Sequence, residues 1–250
     1  MALLSLWKKE LREISFSGLT LLLLSAAFYI FLYYQARPGT IQIILGVIYL
    51  PFFIYPLFLL FQGYRTFSRE WRERTIFLLK SLPRSGYEII LAKFLAAAVV
   101  LIVLMATSST GIYFVISRNF TAVNQILPPE ITALNWEAVL GWGLVIYFWL
   151  CGFVYFTAQL SSLTSRFFNR FRWLVTLLVF YLVNYLTIRL AGYLGLLFDW
   201  LPNVRHYVIG QAEEAAGLIE VNGGGLAAAV LILLILFIIS SLLLERTLEV

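Results

Sequence analysis

The sequence predicts an all-α integral membrane protein with six transmembrane helices. Of the 250 residues, 62% are apolar and 12% are charged, whereas a soluble domain is roughly half apolar and about a quarter charged. A helix needs about 20 apolar residues to cross a bilayer, and the chain contains long apolar runs at 15–34, 41–64, 88–117, 136–164, 173–198 and 225–244. These runs lack the alternating polarity of membrane β-barrel strands, so we interpret residues 1–250 as a single transmembrane domain.

The segment before the first span, residues 1–14, has the pattern of an amphipathic helix. Leu3, Trp7, Leu11 and Ile14 recur at helical spacing, while the charged residues fall between them. This pattern predicts an interfacial helix that lies on the inner leaflet. A simple positively charged anchor explains the same residues equally well.

The distribution of Lys and Arg predicts that both termini are cytoplasmic. These residues are concentrated in the N-terminal segment and in the second and fourth loops, and the opposite loops carry only Arg37, Arg118 and Arg205. Cytoplasmic loops of membrane proteins collect Lys and Arg. The chain is therefore expected to be a multi-pass membrane protein with its N- and C-termini on the cytoplasmic side.

The last outer loop, residues 199–224, is too apolar for a free loop and too interrupted for a span. It mixes apolar residues with Trp200, Pro202 and acidic side chains. Such a segment is tolerated at membrane depth where it packs against protein. We predict a re-entrant-like segment of short helices between spans five and six.

A dense block of charge, "FSREWRERTIFLLKSLPRSGYEIILAKF" (67–94), separates the second and third apolar runs. As a helix, residues 67–82 place apolar side chains on one stripe and allow opposite-charge pairs four residues apart. Pro83 ends this helix, and Ser85 followed by Glu88 has the pattern of a capping box that starts the next one. We expect Lys93 to snorkel back to the cytoplasmic surface. A positive loop with amphipathic filler is the alternative interpretation.

This block resembles the motif of ABC-2 type transporter permeases. In that motif an acidic residue and a Thr precede a Leu-rich helix, a Pro-containing turn and a helix that opens with a Lys. The matching positions here are Glu70 or Glu73, Thr75, Leu78, Leu79, Pro83, Ser85, Glu88 and Lys93. The family commonly has Gly before the Thr and before the Lys, where this chain has Arg74 and Ala92.

The resemblance implies the transmembrane subunit of an ATP-driven exporter in the inner (cytoplasmic) membrane of a prokaryotic cell. Two permease subunits, identical or different, would pair, and each would dock one cytoplasmic ATPase subunit through a coupling helix at 67–82. The residues expected to contact the ATPase are Phe67, Arg69, Glu70, Trp71, Arg72, Glu73, Arg74, Thr75, Leu78 and Leu79. The chain itself would bind no cofactor, since ATP and Mg belong to the partner subunit. Neither a nucleic-acid partner nor a metal site is expected.

The sequence also argues against enzymatic activity in this chain. It has no GxxxxGK[ST] phosphate loop, so hydrolysis of ATP would take place on the partner. Asp199, His206 and Cys151 are the only residues of their kinds, which leaves no aspartate pair and no Cys–His pair for catalysis within the membrane. A non-transporting scaffold, regulatory or immunity-type protein that docks a cytoplasmic partner remains the alternative.

A path for an amphipathic or hydrophobic cargo is predicted between spans two and five. The second span contains Pro51 and Pro56, which should kink it, among many aromatic residues, and the fifth carries a polar and aromatic stripe. The candidate lining residues are Tyr49, Phe53, Tyr181, Asn184 and Tyr185. Ordinary interhelical packing explains the same residues.

Overall fold

The computed structural model describes residues 2–37, 39–72, 85–120, 123, 136–168, 170–202, 204–207 and 218–249. These residues form seven α-helices, a short 3₁₀ helix at Ser165–Phe167 and two short strands. The α-helices are α1 (Ala2–Gln35), α2 (Ile41–Val47), α3 (Leu50–Arg72), α4 (Gly86–Arg118), α5 (Trp136–Thr164), α6 (Arg172–Leu197) and α7 (Gly223–Glu249).

The structure confirms six helical segments that are long and apolar enough to cross a membrane. Each corresponds to one predicted run, and α2 with α3 forms the second span. Glu10 of α1, Glu70 of α3 and Lys93 of α4 meet at one end of the bundle, where Glu245 of α7 also lies against the start of α4. The two chain termini are therefore at the same end.

The second span is interrupted at Ile48 and Tyr49, shortly before Pro51, one of the two prolines that we expected to kink it. Helix α2 ends at Val47 and α3 begins at Leu50. Pro51 has no N–H to donate to the carbonyl of Val47, four residues earlier. Pro56 lies inside α3 and has no N–H for the carbonyl of Phe52, and the Tyr147 hydroxyl donates to that carbonyl at 2.7 Å. A side chain of α5 thus replaces the missing backbone bond.

Helices α1 and α4 pack along each other, and α3 packs mainly on α5. Gly63 allows the second of these contacts to be very close, since a Cβ atom there would lie 2.6 Å from the carbonyl oxygen of Tyr155. Small residues commonly permit such close approach in membrane bundles. In the bundle interior the buried Tyr55 hydroxyl contacts Ser25 and Ser108, which joins α3 to α1 and α4.

The N-terminal segment is not a separate interfacial helix. Residues 2–35 form one continuous α-helix, so the predicted helix at 1–14 is the first part of the first span. The segment contains neither Pro nor Gly before Gly18, and Ser15 and Ser17 donate to the carbonyls of Arg12 and Ile14 without breaking the helix. Glu10, which is buried against α4, also ties this segment to the bundle.

Residues 199–224, which we predicted to be an outer segment of short helices, differ from that prediction in the part that the structure describes. Its described residues include strand β1 (Val204–Tyr207) and strand β2 (Leu218–Val221), which pair antiparallel with Val204 opposite Val221. Pairing satisfies the backbone polar groups of two segments that are each too short for a helix of several turns. The rest of the segment beyond Pro202 lies outside the described residues, apart from Asn222 and the start of α7.

Candidate functional site

A buried cluster of three charged side chains joins three helices at the end of the bundle that bears the termini. The Lys93 ammonium lies 2.9 Å from Glu10 Oε1 and 2.8 Å from Glu70 Oε1. The Lys93 side chain is 1% exposed, and the two carboxylates are 4–5% exposed. Charges this deep persist only when they are paired and hydrogen-bonded. We refer to Glu10, Glu70 and Lys93 as the charge cluster.

The position of Lys93 corrects the prediction that it snorkels to the surface. A lone lysine at this depth would extend its ammonium towards water. Here α1 and α3 each place a carboxylate beside it, and both ion pairs offset its desolvation. The cluster therefore fixes the ends of α1 and α3 to the second and third turns of α4.

Aromatic side chains surround the charge cluster and extend it to α5. The Lys93 ammonium lies 5.3 Å from the centre of the Phe67 ring, within the distance of a cation–π contact. Phe67 in turn contacts Trp71 edge to face, with ring centres 6.1 Å apart. The Arg166 guanidinium, just beyond α5, lies 5.2 Å from the Trp71 ring. The last two turns of α3 are thus held by α1, α4 and the end of α5.

The predicted ATPase-contact residues are divided between the interior, the surface and the part of the chain that is not described. Residues 67–72 are the end of α3 and do not begin a separate helix. Phe67 and Glu70 are buried, Trp71 is half-buried, and Arg69 and Arg72 are exposed. Arg69 lies 3.9 Å from Glu13 of α1. Glu73, Arg74, Thr75, Leu78 and Leu79, like the rest of 73–84, lie outside the described residues.

The start of α4 is anchored by α7, although the sequence predicted a local capping box. Ser85 occupies the N-cap position, but its side chain makes no capping hydrogen bond. The Gly86 N–H instead donates to Glu245 Oε1 at 2.9 Å. A carboxylate from the last helix therefore satisfies a backbone donor that a helix start leaves open. The end of α3 and the start of α4, which flank residues 73–84, are therefore both fixed to neighbouring helices.

This arrangement predicts different effects of substituting Glu245 and Ser85. We expect Glu245→Ala to lower stability by about 1 kcal/mol, the usual loss for a removed N-cap interaction, whereas Ser85→Ala should be nearly neutral. Thermal unfolding of the two purified variants in the same detergent measures the difference. Glu245→Gln, which keeps an acceptor oxygen, is the matched control. A larger loss for Ser85→Ala than for Glu245→Ala would contradict the observed cap.

Four of the five predicted cargo-path residues have exposed side chains, and the fifth, Asn184, is half-buried. Tyr49, Phe53, Tyr181 and Tyr185 are 47–76% exposed. The Asn184 amide donates to the carbonyl of Phe180 in its own helix at 2.7 Å. Helix α3 packs mainly on α4 and α5, whereas α6 packs on α5 and α7. A path lined by these residues stays a prediction that would need a second chain.

No protein-family model, curated protein or solved structure matches this chain. The geometry is therefore the basis for inferring function. In the part of the chain that the structure describes, no group of three His, Cys, Asp or Glu side chains is arranged to hold a metal ion. The chemistry that the charge cluster shows is that of an ion-paired link between helices.

Sequence reasoning missed Glu10 and Glu245 as partners at this site. A signal for Glu10 was present, since it follows Trp7 by three residues and precedes Ile14 by four, on the face that the structure buries. Glu70 likewise follows the buried Phe67 by three residues. For Glu245 no local pattern indicates a contact with a residue 159 positions earlier.

Proposed function

We propose that this chain is the membrane-spanning permease subunit of an ABC-type exporter, with residues 73–84 and the adjoining end of α3 as the docking site for a separate ATPase subunit. The proposal combines the resemblance of residues 67–94 to ABC-2 permeases with six spans and termini at one end of the bundle. ATP and Mg would be bound by the partner. The cargo would be amphipathic or hydrophobic, and the protein would reside in the cytoplasmic membrane.

The observation that carries the proposal is the anchoring of both helix ends from which segment 73–84 departs. At one end, Glu70 of α3 is ion-paired to Lys93 of α4, which is also paired to Glu10 of α1. At the other end, the first N–H of α4 is bound by Glu245 of α7. A displacement of segment 73–84 by a bound partner would therefore move α3 and α4 together with α1 and α7. A solvated loop of positive charge needs no such anchoring.

The docking surface in this proposal differs from the one expected from sequence. Phe67 and Glu70 would transmit the movement from inside the bundle, because their side chains are buried. Arg69, Arg72 and the residues after them would face the ATPase. The exposed aromatic side chains of α3 and α6 would meet a second permease subunit, and the predicted cargo path would form between the two chains.

The proposal predicts that an ABC ATPase co-purifies with the tagged chain from its native membrane in mild detergent. We expect Arg72→Glu to reduce the recovered ATPase roughly fivefold, the effect of about 1 kcal/mol from reversing one exposed charge. Leu79→Asp should reduce it at least as much. Mass spectrometry of the eluate and its ATPase activity are the two measurements. Arg37→Glu, an exposed arginine at the opposite end of the bundle, is the matched control.

The outcomes separate a permease from other proteins that bind a partner. Recovery of an ATPase with the native chain and with Arg37→Glu, but not with Leu79→Asp, supports the docking site. Recovery of a partner without a nucleotide-binding domain would favour the scaffold or immunity-type alternative. Thermal unfolding of each variant in the same detergent checks that reduced recovery does not reflect loss of the fold.

A further inference from the structure

A cleft of about 550 Å³ lies between α1 and α3, beside the charge cluster and open towards the surroundings of the bundle. Its volume falls in the range of roughly 300–1,000 Å³ that is typical of small-molecule sites. The side chains that matter for its chemistry come from both helices. They are Glu13, Ser17, Thr20, Leu24, Phe58, Gln62, Arg65 and Arg69.

The polarity of the cleft changes along its length. Glu13 of α1 and Arg69 of α3 lie at the end near the N-terminus, and Leu24 and Phe58 lie at the other. In each helix the two ends are eleven residues apart (13 to 24 and 58 to 69), which corresponds to about 16 Å along a helix axis. Both helices are membrane-spanning segments, so the gradient runs from the bundle end towards the interior of the bilayer.

Charge at the polar end favours an anion. Glu10 is engaged by Lys93, and Glu13 lies within ion-pair distance of Lys9 and Arg69. Arg65 is exposed, and among the described residues no carboxylate forms an ion pair with it. A guanidinium binds phosphate oxygens with two parallel hydrogen bonds.

Further polar groups lie below Arg65 in the middle of the cleft. The Gln62 amide donates to the Ser17 hydroxyl at 2.8 Å, which joins the two walls across the floor of the cleft. A primary amide carries two donors, and within the described ranges the second N–H of Gln62 donates to no protein acceptor. The cleft thus offers donors at one end, an amide at its centre and apolar side chains beyond it.

We propose that this cleft binds one anionic phospholipid of the surrounding bilayer. The phosphate would lie at Arg65, the glycerol and ester region near Gln62 and Thr20, and an acyl chain along Leu24 and Phe58. A zwitterionic lipid would place its cationic group beside Arg65 and Arg69, where like charges repel. This lipid site does not depend on the proposed transport function.

Native mass spectrometry of the detergent-solubilised full chain tests the site, with phosphatidylglycerol and phosphatidylcholine as the two probes. We expect the native chain to retain phosphatidylglycerol in preference to phosphatidylcholine. Arg65→Gln should weaken phosphatidylglycerol binding about tenfold, as expected for a lost charge-assisted hydrogen-bonded contact, and leave phosphatidylcholine binding unchanged. Arg37→Gln, the matched control, should bind both lipids as the native chain does.

A second variant tests the shape of the cleft independently of its charge. Thr20 is exposed and lines the cleft, so Thr20→Phe should obstruct it and reduce binding of both lipids. Equal binding of the two lipids by the native chain would overturn the proposal. So would unchanged phosphatidylglycerol binding in Arg65→Gln, or an equal loss in Arg37→Gln, which would indicate general attraction to a positive surface.

Discussion

Replacing Lys93 with methionine should destabilise the protein more than any other single charge removal in the described part of the chain. The substitution leaves the carboxylates of Glu10 and Glu70 buried without the ammonium that lies 2.9 and 2.8 Å from them. Breaking a buried ion pair in this way costs about 3–5 kcal/mol. For a chain of this size we expect the midpoint of thermal unfolding in detergent to fall by roughly 10 °C.

Two comparisons separate this effect from a general loss of positive charge. Lys8→Met removes an exposed lysine from α1 and should leave the midpoint nearly unchanged. The triple variant Glu10→Met/Lys93→Met/Glu70→Met removes all three charges and should recover much of the loss, because apolar side chains of similar volume can replace a buried ion-paired group. If Lys93→Met unfolds at the same temperature as the native chain, the charge cluster does not hold these helices together.

The charge cluster also predicts how a displacement would pass between the helices that it joins. Under the proposed function, in which an ATPase subunit binds the chain and α1, α3 and α4 move as one unit, Lys93→Met should lower the response of the ATPase activity to the permease without preventing recovery of the ATPase with the chain. The docking variants Arg72→Glu and Leu79→Asp should instead reduce recovery. This contrast distinguishes residues that bind the partner from residues that carry its movement into the bundle.

Substitution of Gly63 should cause the second large loss of stability. A Cβ atom at this position would lie 2.6 Å from the backbone oxygen of Tyr155, which cannot move aside as a flexible side chain can. Overpacking of a close interface costs typically 1–3 kcal/mol, and Gly63→Leu should cost more than Gly63→Ala because its branched side chain must also be accommodated. The amount of monodisperse protein recovered in detergent and its thermal midpoint measure the loss.

Gly46 provides the matched control for this prediction. It also lies within the second span, in α2, but apart from its own stretch of helix no described atom lies within 4 Å of the position that its Cβ would occupy. Gly46→Ala should therefore be neutral or stabilising by up to about 1 kcal/mol, as alanine favours helix over glycine. Equal losses for the two substitutions would mean that close contact between α3 and α5 is not what Gly63 provides.

The apolar runs predicted the spans well because membrane insertion depends on a local property. A run of about 20 apolar residues is sufficient to define a spanning helix, and each predicted run corresponds to a helical segment of the structure. The two prolines of the second span indicated a disturbance there, because proline has no N–H to donate to the carbonyl four residues earlier. They did not indicate which one would accompany the break, which lies before Pro51, whereas Pro56 lies inside α3. The continuity of α1 was missed because amphipathic spacing is compatible with both an interfacial helix and a buried helix face.

The contacts at the charge cluster were not predictable in the same way. Lys93 was correctly placed near a helix end, but its burial depends on Glu10 and Glu70, which lie 83 and 23 residues away. The N–H of Gly86 is likewise bound by a residue distant in sequence, Glu245, which lies 159 positions later. The local Ser85–Glu88 pattern instead predicted a cap by the Ser85 side chain, which makes no such hydrogen bond. The strand pairing of Val204–Tyr207 with Leu218–Val221 also joins segments that are separate in sequence.

The sequence by itself determined that this protein is a helical membrane protein, where its spans lie and that the second one is disturbed, because hydropathy and proline geometry act locally along the chain. Only the tertiary structure decided which polar side chains are surface groups and which are buried links. A charged side chain is stable inside a bundle only when distant helices bring an opposite charge to it. The roles of Glu10, Glu70, Lys93 and Glu245 therefore follow from helix packing.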